Sequence, residues 1–365
     1  MSLQITRSSR TVSIVKLIAV GDISLQTKEN TSPFGNVREV FHNKDILFGN
    51  LETVLSNRGK KAEKSVLLYA SPQKVEYLKE SGFDILNIAN NHILDLGLEG
   101  FNETLEVLHQ NDLAFIGAGN RKFSQSYAII EKKGLKLVFL GYYQGEFRNF
   151  KKGVFINKVD KNYIVADIKK LKSQCDIIVI SLHWGTENVF YPSPKQIKLA
   201  RNLIDDGATV ILGHHPHVVQ GMERYKNGLI VYSLGNFQFL TDREIDKKSI
   251  ILSVEINKNG IEDYRIIPVK INEDFMPYVL NYQKSQEMLS FIDRISQPII
   301  EGKVNEKWWF EEIAKEHLAE NMKSWIVRIK KYGIKHLLQC IKWLISPFIV
   351  KCYLGLLRRR LTKYD

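Results

Sequence analysis

A chain of 365 residues has room for one large domain or two ordinary ones, and a content of 44% hydrophobic and 25% charged residues excludes a disordered protein. Three cysteines, Cys175, Cys340 and Cys352, are too few and too scattered for a disulfide framework or a thiolate metal site. The formal charge of +12 is unevenly placed: residues 321–365 carry eleven Lys/Arg against one Asp and contribute +10, leaving a nearly neutral body at +2.

The N-terminal run SIVKLIAV (13–20) is short, carries Lys16 and leads straight into GDISL with no small-residue cleavage site, so it reads as a first buried strand and not as a signal peptide. No stretch reaches the roughly 18 uncharged apolar residues of a membrane-spanning helix. Further strands are expected at DILFG (45–49), DILNIA (84–89), LAFIGA (113–118), YAIIE (127–131), LKLVFLGY (135–142), DIIVISLH (176–183), TVILG (209–213), LIVYSLG (229–235), SIILSVEI (249–256) and YRIIPVKI (264–271). Several are apolar throughout, as in strands covered on both faces. Helical patterns lie at 71–82, 100–111 and 193–207, the first and last ending in Gly. The late strands, with KNG at 258–260 as a hairpin turn, read as antiparallel. Weaker periodicity from 272 to 312 suggests a connector between a domain at 13–271 and a helical tail at 313–365.

Polar signatures recur where the apolar runs end: GDISL (21–25), GNLET (49–53), NIANNHILDLG (87–97), SLHWGTE (181–187), GHHPH (213–217) and SLGNF (233–237). Ligands gather at the carboxyl ends of strands in open α/β sheets. Three of the nine histidines, His214, His215 and His217, share one such end, a pattern far more suggestive of metal binding than a lone histidine. Two divalent ions about 3.5–4 Å apart need a bridging carboxylate, several imidazoles and an amide or carboxylate oxygen, and they lower the pKa of a water between them. A nearby cationic histidine can protonate the leaving group. Any one motif is weak, and the ordered set is the signal.

That ordered set resembles the CapA family, the capsule or poly-γ-glutamate synthesis proteins, over roughly residues 13–270. The family in turn resembles the calcineurin-like metallophosphoesterases. The resemblance implies an α/β fold, a two-sheet sandwich flanked by helices with a C-terminal helical extension, and a role in making, exporting or anchoring an extracellular polymer. Carried over residue by residue, it implies that Asp22 binds a first metal and Glu52 bridges the pair. Asn91 and His183 would bind the second metal, His215 and His217 would divide between the two, and His214 would pack or hydrogen-bond behind them. His92 becomes the general acid, oriented by Asp95. Asn50, Trp184, Glu187, His214 and Asn236 are candidates to face substrate. The implied cofactor is a divalent metal, two ions of Mn, Fe or Zn.

Two positions depart from the phosphoesterase pattern. Ser24 stands where a histidine is usual, and the bridging residue is Glu52 in place of Asp. A site with one metal, or a non-catalytic polymer-binding role, therefore stays open beside a hydrolase. His42, His109 and His336 have no motif partners.

In the tail, Ile326, Ile329, Ile334, Leu337, Leu338, Ile341, Leu344, Ile345 and Phe348 recur mostly every three or four residues, with Lys331, Lys335, Gln339 and Lys342 largely opposite. Pro347 should break or kink this helix. An apolar stripe with a cationic polar face suits an interfacial membrane helix, the alternative being packing on the domain. The expected partners are an anionic surface polymer or its precursor, the polymer synthesis and export machinery, and a membrane surface, with the domain on the cytoplasmic side. Nucleic acid is not expected, because aromatics and charges do not interleave.

Overall fold

The computed structural model describes residues 13–27, 31–64, 66–123, 126–145, 153–332 and 344–361. Two sheets dominate it. The first has the strand order Pro277–Val279, Gly260–Ile271, Lys248–Asn257, Val15–Ile23, Ile46–Leu51, Ile85–Asn87, Ala114–Ile116, with Asn236–Gln238 pairing alongside Val15–Ile23. The second runs Met222–Tyr225, Gly228–Val231, Val210–His214, Ile177–His183, Leu135–Tyr143, Tyr127–Lys132.

The unbroken apolar character of the central strands follows from this arrangement, since both faces of each sheet are covered. Leu17, Phe48 and Ile85 of the first sheet meet Leu137, Phe139, Val179 and Leu212 of the second in one core, where the Phe48 and Phe139 rings stack 6.1 Å apart. The outer face of the first sheet packs on the helix Gly97–Gln110 through Phe101, Leu105 and Leu108. The outer face of the second packs on the helices Lys161–Leu171 and Pro194–Asp206 through Ile164, Ile168, Ile197 and Leu203. The result is the expected two-sheet sandwich flanked by helices. The 249–256 and 264–271 strands are antiparallel and joined at Asn257–Gly260, as the KNG turn implied.

Register positions the functional residues. In the first sheet Asp22 is opposite Asn50 on one side and Asn236 on the other, and Asn50 is opposite Asn87. In the second sheet His183 is opposite both His214 and Tyr143. Six polar or aromatic side chains are thereby brought into two short rows at the carboxyl ends of parallel strands, with Asn236 joining from the start of its own strand.

Residues 272–312 are more ordered than their periodicity suggested. They hold the strand Pro277–Val279 and the 19-residue helix Tyr282–Ile300, which starts on an Asn281 cap and buries Met288, Ile292, Ile295 and Ile299. These buried positions recur at helical spacing, and the packing is close: a Cβ at Gly221 would fall 2.7 Å from the Ile295 carbonyl oxygen. The helix Lys161–Leu171, N-capped by the Asp160 carboxylate, was likewise not anticipated.

Among the described residues, the C-terminal extension holds the helices Glu306–Tyr332 and Pro347–Leu361. Pro347 breaks the helical run, as expected of it, and begins a new helix, because its fixed φ and missing N–H suit a first turn. Trp309, Ile313, Ala314 and Leu318 pack against Ile349 and Cys352, and Gly355 permits backbone approach to the Phe310 carbonyl. The pair also reaches the domain, through Val189 and a 2.8 Å hydrogen bond from the Trp309 indole to the Tyr191 carbonyl. Ile334, Leu337, Leu338, Ile341, Lys335, Gln339 and Lys342, the middle of the anticipated stripe, lie outside the described residues. Phe348 is not part of an open stripe. It packs on Trp309, Phe310 and His317. Among the described residues, no helix is long and apolar enough to cross a membrane.

Candidate metal centre

Asp22 and His214 each follow a glycine, and tight chain approach explains both. A Cβ on Gly21 or Gly213 would fall 1.8 Å from the carbonyl oxygen of Gly235 or Tyr232. Asp22 is fully buried, and its Oδ1 accepts from the Asn50 amide at 2.8 Å while Oδ2 accepts from the His215 backbone N–H at 3.2 Å. His214 Nδ1 stands 3.3 Å from Oδ1 and His217 Nδ1 3.7 Å from Oδ2. Burial disfavours the charge on Asp22, but His214, His217 and Asn50 outweigh it and hold the carboxyl below its ordinary range.

Glu52 behaves oppositely. It is fully buried, neither carboxyl oxygen has a hydrogen-bond partner, and burial, with Asp22, Glu187 and Asp95 adding like charge, pushes its carboxyl well above the usual range. Facing it are His183 Nε2 at 3.6 Å and His92 Nε2 at 3.8 Å from Oε1. Burial and the neighbouring imidazoles hold His183 well below the ordinary histidine value. Enclosure of His215 pushes its ring down to about 4. Both rings are therefore neutral near pH 7, the form that ligates metal.

Two ligand groups converge within 4.8 Å: Asp22, Glu52 and His183, and Glu52, His215 and His217. Glu52 belongs to both, which fits a bridging role. The grouping differs from the anticipated division of His215 and His217 between two metals, because both side chains leave the same short loop. That loop is tight, with positive φ at His215 (93°) and His217 (61°), a conformation that costs energy in residues other than Gly and marks functional sites. Asn91 Oδ1 is 2.7 Å from His183 Nε2, beside the group of Asp22, Glu52 and His183.

Unpartnered buried atoms test whether these residues suit a cation. Besides both Glu52 oxygens, the Nδ1 of His215 has no hydrogen-bond partner, nor has the Nε2 of His214, whose Nδ1 faces Asp22 at 3.3 Å. Buried polar atoms without partners are rare. A carboxylate and neutral imidazoles left together in this way are the donor set of a divalent ion with mixed O/N preference.

His92 sits at the edge of this cluster. Its Nδ1 is 2.6 Å from Asp95 Oδ2, while Asp95 Oδ1 takes a 2.6 Å contact from Lys64 Nζ and Oδ2 accepts from the Leu68 backbone N–H. Lys64 also donates to the Asn91 carbonyl oxygen. Its position in a loop far from any motif gave no sequence signal. Asn87 donates to Asn50 Oδ1 at 2.8 Å, and Tyr143 lies with its ring 5.8 Å from that of His183. Both end apolar strand runs, the same signal that singled out Asp22 and His183. His317, from the helix Glu306–Tyr332, feels the charge of Glu187 and so brings the extension close to the centre.

Burial removes four residues from the expected substrate contacts. Trp184 is 1% exposed, stacked on Tyr232 and bonded to its carbonyl, so no substrate can lie on it. Asn50 ties Asp22 to His183, His214 is buried behind Asp22, and Asn236 Oδ1 fixes His217 Nδ1 at 2.8 Å. These three contact Asp22, His183 and His217. Glu187 is exposed, and its charge acts on Glu52 and His215. Ser24 is buried, its backbone N–H bonded to Gln238, and brings no imidazole to the first site.

A helix-flanked two-sheet sandwich whose strand ends converge carboxylates and imidazoles defines the calcineurin-like metallophosphoesterase class of fold. A Staphylococcus aureus crystal structure described as a 5′-nucleotidase shares that fold at a TM-score of 0.51 and 12% identity, covering 77% of this chain and 58% of that one. Within the class the sequence is more specific. The family model for the bacterial capsule synthesis protein PGA_cap matches residues 16–241. The chain is 33% identical over 278 residues to the capsule biosynthesis protein CapA of Bacillus anthracis, covering 70% of this chain and 67% of that one. It is 32% identical over 269 residues to the PGA biosynthesis protein CapA of Bacillus subtilis strain 168, covering 70% and 71%. The chain belongs to the PGA_cap family of capsule synthesis proteins.

Proposed function

We propose that this chain is a metal-dependent hydrolase of phosphoesterase type, working in the synthesis or export of a capsule or poly-γ-glutamate-type surface polymer. Glu52 carries the reading: a carboxyl buried without a hydrogen bond, its nearest imidazoles 3.6 and 3.8 Å away, costs several kcal/mol if ionised, and a bound cation would offset it. Asp22, Glu52, His183, His215 and His217 would hold one or two divalent ions such as Mn, Fe or Zn, with Asn91 in reach. When bound, such ions supply an activated water and neutralise charge on substrate oxygens.

The protein's own groups do the rest. His92 gives its Nδ1–H to Asp95, which fixes the ring with Nε2 facing the cluster, where it can protonate the leaving-group oxygen. Lys64 bonds both Asp95 and the Asn91 carbonyl, so a single side chain ties the acid's support to a candidate ligand. A non-catalytic role, in which the same cleft holds an anionic polymer for the synthesis and export machinery, is favoured by Ser24. Metal content per chain separates the two readings. About two ions, diminished in both His183→Ala and His217→Ala, and hydrolysis of phosphoester substrates are the expected result. A metal-replete preparation that retains no ion would sink the hydrolase.

The extension we assign to the anionic cytoplasmic leaflet of a membrane, as a peripheral contact. The helix Pro347–Leu361 is apolar on two faces. Ile349, Cys352 and Leu356 pack inward, while Val350, Tyr353, Leu354 and Leu357, at i, i+3, i+4 and i+7, point away and are 39–58% exposed. Ile345, 70% exposed, extends this stripe, and Lys351 and Arg358 flank it. Each cation near an anionic surface adds about 1 kcal/mol.

A further inference from the structure

Four cations from three elements crowd one groove on the flank of the first sheet. Lys248 and Lys270 are direct partners across the strands Lys248–Asn257 and Gly260–Ile271, so like charges share one face of the sheet, an arrangement that destabilises a strand pair. Lys284 and Arg294 come from the helix Tyr282–Ile300, ten residues and roughly 15 Å apart along its axis. Between them the half-buried Phe291 faces the groove, with Met288 buried beneath. Two cavities of about 390 and 350 Å³ share Lys248, Met288 and Phe291 as walls.

The positive charge is not neutralised internally. Lys270 is matched by Glu244, which also serves Lys247. Glu287 lines the groove without an ion pair, its side chain 3.5 Å from the Gln283 amide. Lys248, Lys284 and Arg294 have no carboxylate partner among the described residues. Arg294 stacks its guanidinium 5.4 Å over the Phe291 ring, and the four cations of the groove outnumber its two acids, Glu244 and Glu287. The near end of the groove is formed by Phe190 and Val219, three residues beyond Glu187 and two beyond His217. The chain thus places it beside the metal centre.

We propose that this groove binds an extended polyanion of carboxylates separated by apolar spacers, an acidic polypeptide-like chain, and guides it to the metal centre. Cations at both ends of a three-turn helix face suit a ligand that lies along the groove. The half-buried Phe291 ring offers apolar surface to methylene spacers between the carboxylates. The inference rests on the polymer reading above but not on hydrolysis.

The test is fluorescence anisotropy of labelled polyglutamate titrated with the full-length chain stripped of metal, so that failure of the hydrolase reading leaves it intact. Charge reversal in Lys284→Glu/Arg294→Glu, and separately in Lys248→Glu, should weaken binding at least about tenfold, with unchanged melting temperature and unchanged metal content on reloading. The milder Lys284→Gln/Arg294→Gln pair should fall between, which guards against a folding defect. Binding equal to wild type in both reversed variants would overturn the groove. So would equal affinity for uncharged polyglutamine, or equal competition by a DNA oligonucleotide or anionic vesicles at matched charge.

Discussion

At the strand ends Glu52 and His214 are fully buried with polar atoms that find no partner, whereas on the helix Pro347–Leu361 Val350 and Leu357 stand 43% and 58% exposed. The two regions depart from ordinary burial in opposite directions, and each departure identifies what would complete it. A buried carboxylate among neutral imidazoles calls for a cation. An apolar stripe on an already packed helix, edged by Lys351 and Arg358, calls for an apolar, anionic surface. The centre is held from two sheets at once, while the extension touches the domain chiefly through Val189 and Tyr191. Changes at the first should therefore alter chemistry, and changes on the outer face of the second should alter location alone.

The largest effect should come from Glu52. Glu52→Gln removes the charge that the metal-free fold already resists, so metal retention and hydrolysis should be lost while the melting temperature of the metal-free chain holds or rises. Full metal occupancy in this variant would break the comparison at its strongest point. His92→Ala should next lower turnover by about 10²–10⁴-fold with metal content intact. Asp95→Asn, acting through His92, should cost about 10–100-fold, and steady-state kinetics beside elemental analysis reads both.

A pH series sharpens the contrast further. The folded pKa of His215, about 4, lies below the 6.5 of an unperturbed histidine, so the unfolded chain takes up its proton first. Its contribution to stability is complete above pH 6.5 and declines as the pH falls towards 4. Urea melts of the metal-free chain should show that slope, and His215→Gln should flatten it; an identical slope in the variant would refute the assignment. The smallest effect on the fold belongs to the extension. Val350→Asp/Leu357→Asp should leave stability within about 0.5 kcal/mol, as for exposed positions. The same pair should abolish flotation with anionic vesicles, and flotation equal to wild type would remove this stripe as the membrane contact.

The sequence by itself determined which segments become buried strands and which polar residues stand at their ends, because continuous apolar runs and the abrupt polar residues that close them are local properties. Asp22, Glu52, His183 and the GHHPH histidines were legible for that reason, as was the hairpin turn at KNG. Pairing was not legible. Only strand register sets Asp22 beside Asn50 and Asn236, and His183 beside His214 and Tyr143. Lys64 reaches Asp95 from a loop with no local signature. The enclosure of Trp184, Asn50, His214 and Asn236 was likewise not legible in the sequence. Solvent exposure and contacts between distant segments are products of the packed chain, and only the tertiary structure could assign them.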